Sequence, residues 1–205
     1  MGKIAFVFAG QGAQAPGMGS TLCSTYEAAS KVFEAADSIR PGTSRQCFEG
    51  SEEELRNTAN TQPCMYTVEM AAAAVLEEAG IHADCAAGFS LGELSALTYA
   101  GAMDPETGLR LVMRRGELMQ AAAETQKTSM AAVVKLPNEE VEKLCAQFEH
   151  VYPVNYNCPG QLSVSGAEDE MGAFAKAVKE AGGRAIPVKV SGAFHSPYMD
   201  PDAAS

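Results

Sequence analysis

Gly88-Phe89-Ser90-Leu91-Gly92 places a serine between two glycines, after a short apolar run and before a helix-forming segment. That order, strand then G-x-S-x-G then helix, is the pattern of a nucleophile elbow. A sharp turn holds the serine in strained backbone, and side chains at the flanking positions would clash. The helix start then aims its unpaired N–H groups and positive partial charge at the reacting centre. The N–H of Leu91 is the natural donor to an oxyanion. The plain alternative is a tight turn in which Ser90 caps the helix.

A serine hydroxyl is a weak nucleophile without a base. The chain has three histidines: His82, His150 and His195. His82 lies eight residues before Ser90, which puts it at the opposite end of the same strand. His150 precedes a strand of a different unit. His195 follows the last apolar run, "AIPVKVSGAF", at the carboxyl end of a strand, where α/β sheets place function. His195 is therefore the expected base. A second charged group stands out on the segment from 105 to 124. At 100° per residue, Arg110, Arg114 and Glu117 share a polar stripe, whereas Arg115 falls at about 240°, among Leu111, Val112, Met119 and Ala122. An unpaired buried charge is costly. Either a structural ion pair or a snorkelling stem accounts for Arg115, or its fork is reserved for a substrate carboxylate.

The elements that must position these groups read as α/β. "KIAFVFAG" (3–10) is a strand bounded by glycine, and about 25–36 is helical. Ser51 with Glu54 marks a helix start. A strong helix is expected from Pro63 to Ala79, stopped by Gly80, then a strand in "HADCAAGF" and a helix from Leu91 to Ala100, ended by Gly101. Asp104 as N-cap and Pro105 as first helical residue open the next helix. From Thr128 the order becomes β-α-β-β-α-β, that of a ferredoxin-like unit. The expected organisation is a parallel-sheet subdomain over 1–127 and 191–205, with an inserted unit over 128–190.

Length and composition narrow the field. A chain of 205 residues, 46% hydrophobic and 20% charged, is long enough for a buried core and too apolar for disorder. A net charge of −11 argues against non-specific nucleic-acid binding. No secretory leader and no membrane-spanning run is read. The six cysteines are scattered with no C-x-x-C pair, which suits reduced thiols in the cytoplasm and neither a disulfide frame nor a metal site.

With Gln11, Ser90, Arg115 and His195 assembled, the chain resembles the malonyl-CoA:acyl-carrier-protein transacylases of fatty acid synthesis. "FVFAGQGAQ", "GFSLGE", "RRGELMQ", "NYNCPGQLSVSG" and "SGAFHSPYM" match that family in order, from Phe6 to Met199. The resemblance implies an α/β-hydrolase-like subdomain carrying the ferredoxin-like insertion. It implies ping-pong transfer: Ser90 takes malonyl from coenzyme A and passes it to the phosphopantetheine thiol of acyl carrier protein. By motif, His195 is general acid and base, Arg115 grips the malonyl carboxylate, and Gln11 with the N–H of Leu91 builds the oxyanion hole. "GAFH" resembles the malonyl-selecting form. No cofactor is implied, and a cytoplasmic monomer is expected, with water kept from the acyl-serine by the cleft between the subdomains. Since carrier proteins are themselves acidic, docking calls for a local basic strip, drawn from Arg114, Lys127, Lys176 or Lys189.

Two features depart from the family. Phe89 stands where its members usually carry histidine, and the family continues well beyond the histidine motif, including a glutamine whose carbonyl orients the imidazole. Asp200 and Asp202 are near in sequence, but no acidic third member is assigned. The expectation is an incomplete large subdomain, with part of its core uncovered and weak or no turnover by itself. A serine esterase shares G-x-S-x-G and would have no use for Arg115. A non-catalytic fragment that binds the carrier protein would take no acyl group on Ser90. Gly10-Gln11-Gly12-Ala13-Gln14-Ala15 scans as a dinucleotide-binding fingerprint, but "APGMGS" interrupts where its helix should begin.

Overall fold

The apolar run after Lys3 forms strand β1 (Ala5–Phe8) in the computed structural model, which describes residues 2–188, 190 and 192–200. Five helices follow: α1 (Ser20–Thr25), α2 (Glu27–Ile39), α3 (Thr43–Glu49), α4 (Glu52–Arg56) and α5 (Thr58–Glu78). Then come β2 (Cys85–Gly88), α6 (Leu91–Tyr99) and α7 (Pro105–Thr125). The remainder is β3 (Thr128–Val134), α8 (Asn138–Cys145), β4 (Val151–Cys158), β5 (Gln161–Ala167), α9 (Glu168–Glu180) and β6 (Arg184–Pro187), with a short 3-10 turn at Pro197–Met199. By contacts the chain divides into two units between Glu117 and Leu118.

In the first unit β1 and β2 pair in parallel, with Ala5 opposite Cys85 and Phe8 opposite Gly88. Both strands therefore deliver their carboxyl ends, Ala9-Gly10-Gln11 and Phe89-Ser90, to one edge. The helix α5 is buried on nearly all sides from Thr58 to Thr67 and has no single apolar stripe, as befits a central helix. It starts five residues before the expected Pro63. Asn57 caps it, its side chain accepting from the Ala59 amide at 3.0 Å. Pro63 sits in the second turn, where it removes the donor to the Ala59 carbonyl and its ring crowds that carbonyl. The stop at Gly80 is a Schellman turn: Gly80, at φ 76°, donates to Glu77 and Ile81 donates to Leu76. Val7, in the middle of β1, is 78% exposed, so one side of this two-stranded sheet is bare.

The start of α7 is built as the sequence indicates. The Thr107 hydroxyl donates to Asp104 Oδ2 at 2.6 Å and the Thr107 amide to Oδ1 at 2.9 Å. These bonds, the hydroxyl's foremost, hold the Asp104 carboxyl below its usual range. A depressed folded pKa gives stability that is present above the unfolded pKa and is lost as pH falls through the folded one. Asp104→Asn keeps an acceptor at the cap but does not titrate. Its melting temperature is therefore expected to fall less than that of the parent between about pH 6 and pH 3. Thermal unfolding followed by circular dichroism reads the difference.

The second unit contains a four-stranded antiparallel sheet in the order β4-β5-β3-β6. With α8 and α9 this is the βαββαβ arrangement expected from Thr128 onward. Alternation along the strands sorts the side chains. Ala131, Val133, Leu162 and Val164 face one core with Val141, Leu144, Phe174 and Val178 of the helices. Met130, on the other face, packs with Ala123 and Phe194.

Candidate active site

Ser90 ends the turn after β2 with φ 54° and ψ −102°, a backbone state that L-residues rarely adopt. The flanking glycines explain how the turn closes. A side chain on Gly88 would collide with the backbone of Gly92 and Glu93, and one on Gly92 with the carbonyls of Phe8 and Ala9. The Phe89 amide donates to the Phe8 carbonyl at 3.1 Å, tying the elbow to the end of β1. Leu91 is fully buried as the first residue of α6, where its N–H has no intrahelical acceptor.

Arg115 comes from the middle of α7, and its fork spans two partners. Nη1 donates to Gln62 Oε1 at 2.9 Å and Nη2 donates to Ser90 Oγ at 3.0 Å. Among the described residues it has no carboxylate within ion-pair distance, so the structural ion pair weighed from the sequence is not what holds it. Burial pulls its pKa below the usual guanidinium range, and the field of Glu93 partly offsets this. An arginine shifted this way is still charged at neutral pH. Its position was legible as a misfit on a helical wheel. Its partner Gln62 was not, because the expected helix began at Pro63 and left Gln62 outside; the Asn57 cap was the available signal.

Gln11 lies on the loop after β1. Its Nε2 donates to Thr58 Oγ1 at 3.1 Å, while Oε1 is buried without a hydrogen-bond partner among the described residues. The preceding Gly10 is packed against Phe89: a side chain there would strike the Phe89 ring and carbonyl. The Phe89 ring itself is 46% exposed. Ser90, Leu91, Arg115, Gln62 and Gln11 thus form one constellation at the carboxyl ends of β1 and β2. The large apolar groove of this unit, about 890 Å³ between α2, α5, β2 and α6, includes none of them.

His195 belongs to the second unit. It is exposed and holds φ 61°. Its neighbours are fixed: Ser165 Oγ donates to the Phe194 carbonyl at 2.9 Å, and the Ala193 amide donates to Thr128 Oγ1 at 2.9 Å. The Ser196 hydroxyl donates back to the Ala193 carbonyl at 2.5 Å. These anchors were not singled out from sequence, since they join residues 29 and 65 apart. The other two histidines are on the surface beside glutamates, His82 with Glu77 and His150 with Glu170. Of the expected basic strip, Arg114 stands beside Glu117 and Lys176 beside Glu180, each on its own helix, and Lys189 lies outside the described residues. Asp202 also lies outside them.

Arranged this way, the first unit offers a hydroxyl in strained backbone at a helix start, with a partly buried cation on its oxygen. Such a site suits attack on a carbonyl whose substrate also carries an anion.

The acyl transferase domain family matches residues 5–204. The malonyl CoA-acyl carrier protein transacylase of Bacillus subtilis (strain 168) is 40% identical over 209 residues, covering 99% of this chain and 66% of the relative. That of Synechocystis sp. is 41% identical over 197 residues, covering 96% of this chain and 65% of the relative. The chain thus spans just under two thirds of the length of these relatives. The crystal structure of the Clostridium perfringens transacylase superposes with a TM-score of 0.92 at 36% identity, over 99% of this chain and 66% of that one. A malonyl-transacylase in complex with its type II PKS acyl-carrier protein superposes with a TM-score of 0.93 at 35% identity, over 99% of this chain and 68% of that one. With the elbow, the arginine and the βαββαβ unit all in place, the chain belongs to the acyl transferase domain family.

Proposed function

We propose that this chain carries the acylation chemistry that moves a malonyl group from malonyl-CoA to acyl carrier protein. The observation that supports it most is the Arg115 guanidinium 3.0 Å from Ser90 Oγ, which sets a carboxylate-binding fork beside the nucleophile. In the first half-reaction Ser90 Oγ attacks the thioester carbonyl. The new C–O bond forms as the C–S bond breaks, and coenzyme A leaves as the thiol with the serine proton. In the second, the phosphopantetheine thiol attacks the malonyl-serine ester and returns the proton to Oγ. His195 is the proposed carrier of that proton in both directions, a role worth about 10²–10⁴-fold. The amides of Gln11 and Leu91 are the proposed oxyanion donors.

No electrons change hands in either half, so the proposed reaction needs no redox cofactor. The subdomain division at 1–127 with 191–205 against 128–190, the monomeric state and the cytoplasmic site belong to the same proposal. No helix among the described residues is long and apolar enough to cross a membrane.

The deciding experiment is intact-mass analysis after mixing with malonyl-CoA. A malonyl adduct on Ser90 is expected, absent in Ser90→Ala and discharged by holo acyl carrier protein. Hydrolysis of neutral esters with no malonyl adduct would replace this reading with the esterase one. Binding to carrier protein with no adduct would replace it with a non-catalytic role.

A further inference from the structure

The two proposed oxyanion donors belong to different elements: Gln11 follows β1, and Leu91 begins α6. An oxyanion hole works only if both amides keep their places to within a fraction of an ångström, so something must lock the exit of β1 to α6. One side of that junction is the packing of Gly92 on the Phe8 and Ala9 carbonyls. The other side is Glu69 of α5. Its Oε2 accepts from the Ser95 hydroxyl of α6 at 2.6 Å. One turn on, Ala73 packs with Phe8 of β1 and Ala96 of α6, so three elements meet at this point. The second carboxyl oxygen of Glu69, Oε1, is buried with no hydrogen-bond partner among the described residues.

A buried carboxyl is a poor choice for packing alone. Burial raises the pKa of Glu69 to about 7, with Ser95 and Ala9 pulling it back. An apolar side chain of the same size would avoid that cost. Places where a chain breaks a local rule of burial tend to be functional or strained.

We propose that Glu69 is a positioning residue for acylation of Ser90, its carboxyl tying α5 to α6 where both pack beside the exit of β1, so that the Gln11 and Leu91 amides converge on one oxyanion. Glu69 touches neither substrate nor the reacting atoms, and the inference rests on the Ser90 reading above.

The test compares Glu69→Ala, Glu69→Gln and Ser95→Ala with the parent chain, after melting curves show which are folded. The rate of Ser90 malonylation is measured against malonyl-CoA concentration, and hydrogen exchange is followed at the amides of residues 9–11 and 91–95. Glu69→Ala is expected to slow acylation about 10- to 100-fold, the scale of a misplaced reacting group. The half-saturating malonyl-CoA concentration should stay within about twofold, because no group that binds substrate has changed. Exchange should quicken at 9–11. Glu69→Gln, which keeps an acceptor for Ser95, should restore most of the rate. Should Glu69→Ala not fold, Ser95→Ala removes the same bridge from the other side. A fluorophosphonate that attacks Ser90 without any malonyl group separates this inference from the substrate assignment. If malonyl-CoA fails to label the parent but the fluorophosphonate labels it, the same comparison is made with that probe. Unchanged rate and exchange in Glu69→Ala, a loss confined to half-saturation, no rescue by glutamine, or no reaction of the parent with either reagent would each overturn the proposal.

Discussion

Arg115→Ala is expected to slow malonyl loading of Ser90 by about 100-fold while leaving acetyl loading unchanged or faster. A charge-assisted hydrogen bond contributes about 1.5–3 kcal/mol, and each 1.36 kcal/mol is about tenfold in rate. Losing the grip on a carboxylate therefore falls in that range. Acetyl has no carboxylate and loses nothing by it. The acetyl arm carries a second piece of information, since in the structure Nη2 donates to Ser90 Oγ itself. A substrate carboxylate that takes the fork must displace that bond, which frees the oxygen lone pair for attack only when the correct substrate is present. With alanine at 115 that bond to Oγ is gone permanently, which is why acetyl loading is expected to hold or rise. Arg115→Lys should recover little, because one ammonium replaces a planar fork that reaches both Gln62 and Ser90. Gln62→Leu should give an intermediate loss, about tenfold, by leaving Nη1 without its acceptor. Rates from quenched intact-mass time courses, with malonyl-CoA and acetyl-CoA in parallel, read all three variants. Equal losses on both thioesters in Arg115→Ala would remove the carboxylate assignment.

Gly92→Ala is the second large effect. Its new methyl would meet the Phe8 and Ala9 carbonyls, both backbone and so unable to swing aside. Overpacking of this kind costs about 1–3 kcal/mol, and the upper end, expected where backbone atoms cannot yield, lowers the melting temperature of a chain of this size by roughly 10 °C. Ser90 should also lose its reactivity, because relief of the clash must move either the β1 exit or the start of α6. Gly172→Ala supplies the contrast. That glycine lies exposed in α9 with open space around it, and alanine there should stabilise by about 0.8–1 kcal/mol. Scanning calorimetry on the two variants reads both signs. A Gly92→Ala chain that melts with the parent and still acylates would show that the elbow does not need the close approach.

How much of this was legible beforehand depends on how far each signal reaches along the chain. The elbow was legible because glycines at 88 and 92 bracket a serine within five residues. The start of α7 was legible because Asp104 and Pro105 are adjacent, and the stop of α5 because Gly80 supplies the positive φ. The βαββαβ order followed from alternating short periods and holds in the structure. Arg115 could be flagged, since a cation on an apolar face violates a periodicity that a single helix displays. The early start of α5 and the presence of α1 and α3 were missed, the first because Pro63 looked like a beginning and in fact sits in the second turn.

The sequence by itself determined the turn chemistry, the caps and the kind of nucleophile, all of which depend on residues within one or two turns of each other. The tertiary structure alone decided what meets that nucleophile. Gln62 reaches Arg115 across 53 positions, Arg115 reaches Ser90 across 25, and Glu69 reaches Ser95 across 26. Such pairings come from the packing of α5, α6 and α7 on one another. Periodicity reports which face of a helix is buried but not which polar atom waits on the other side.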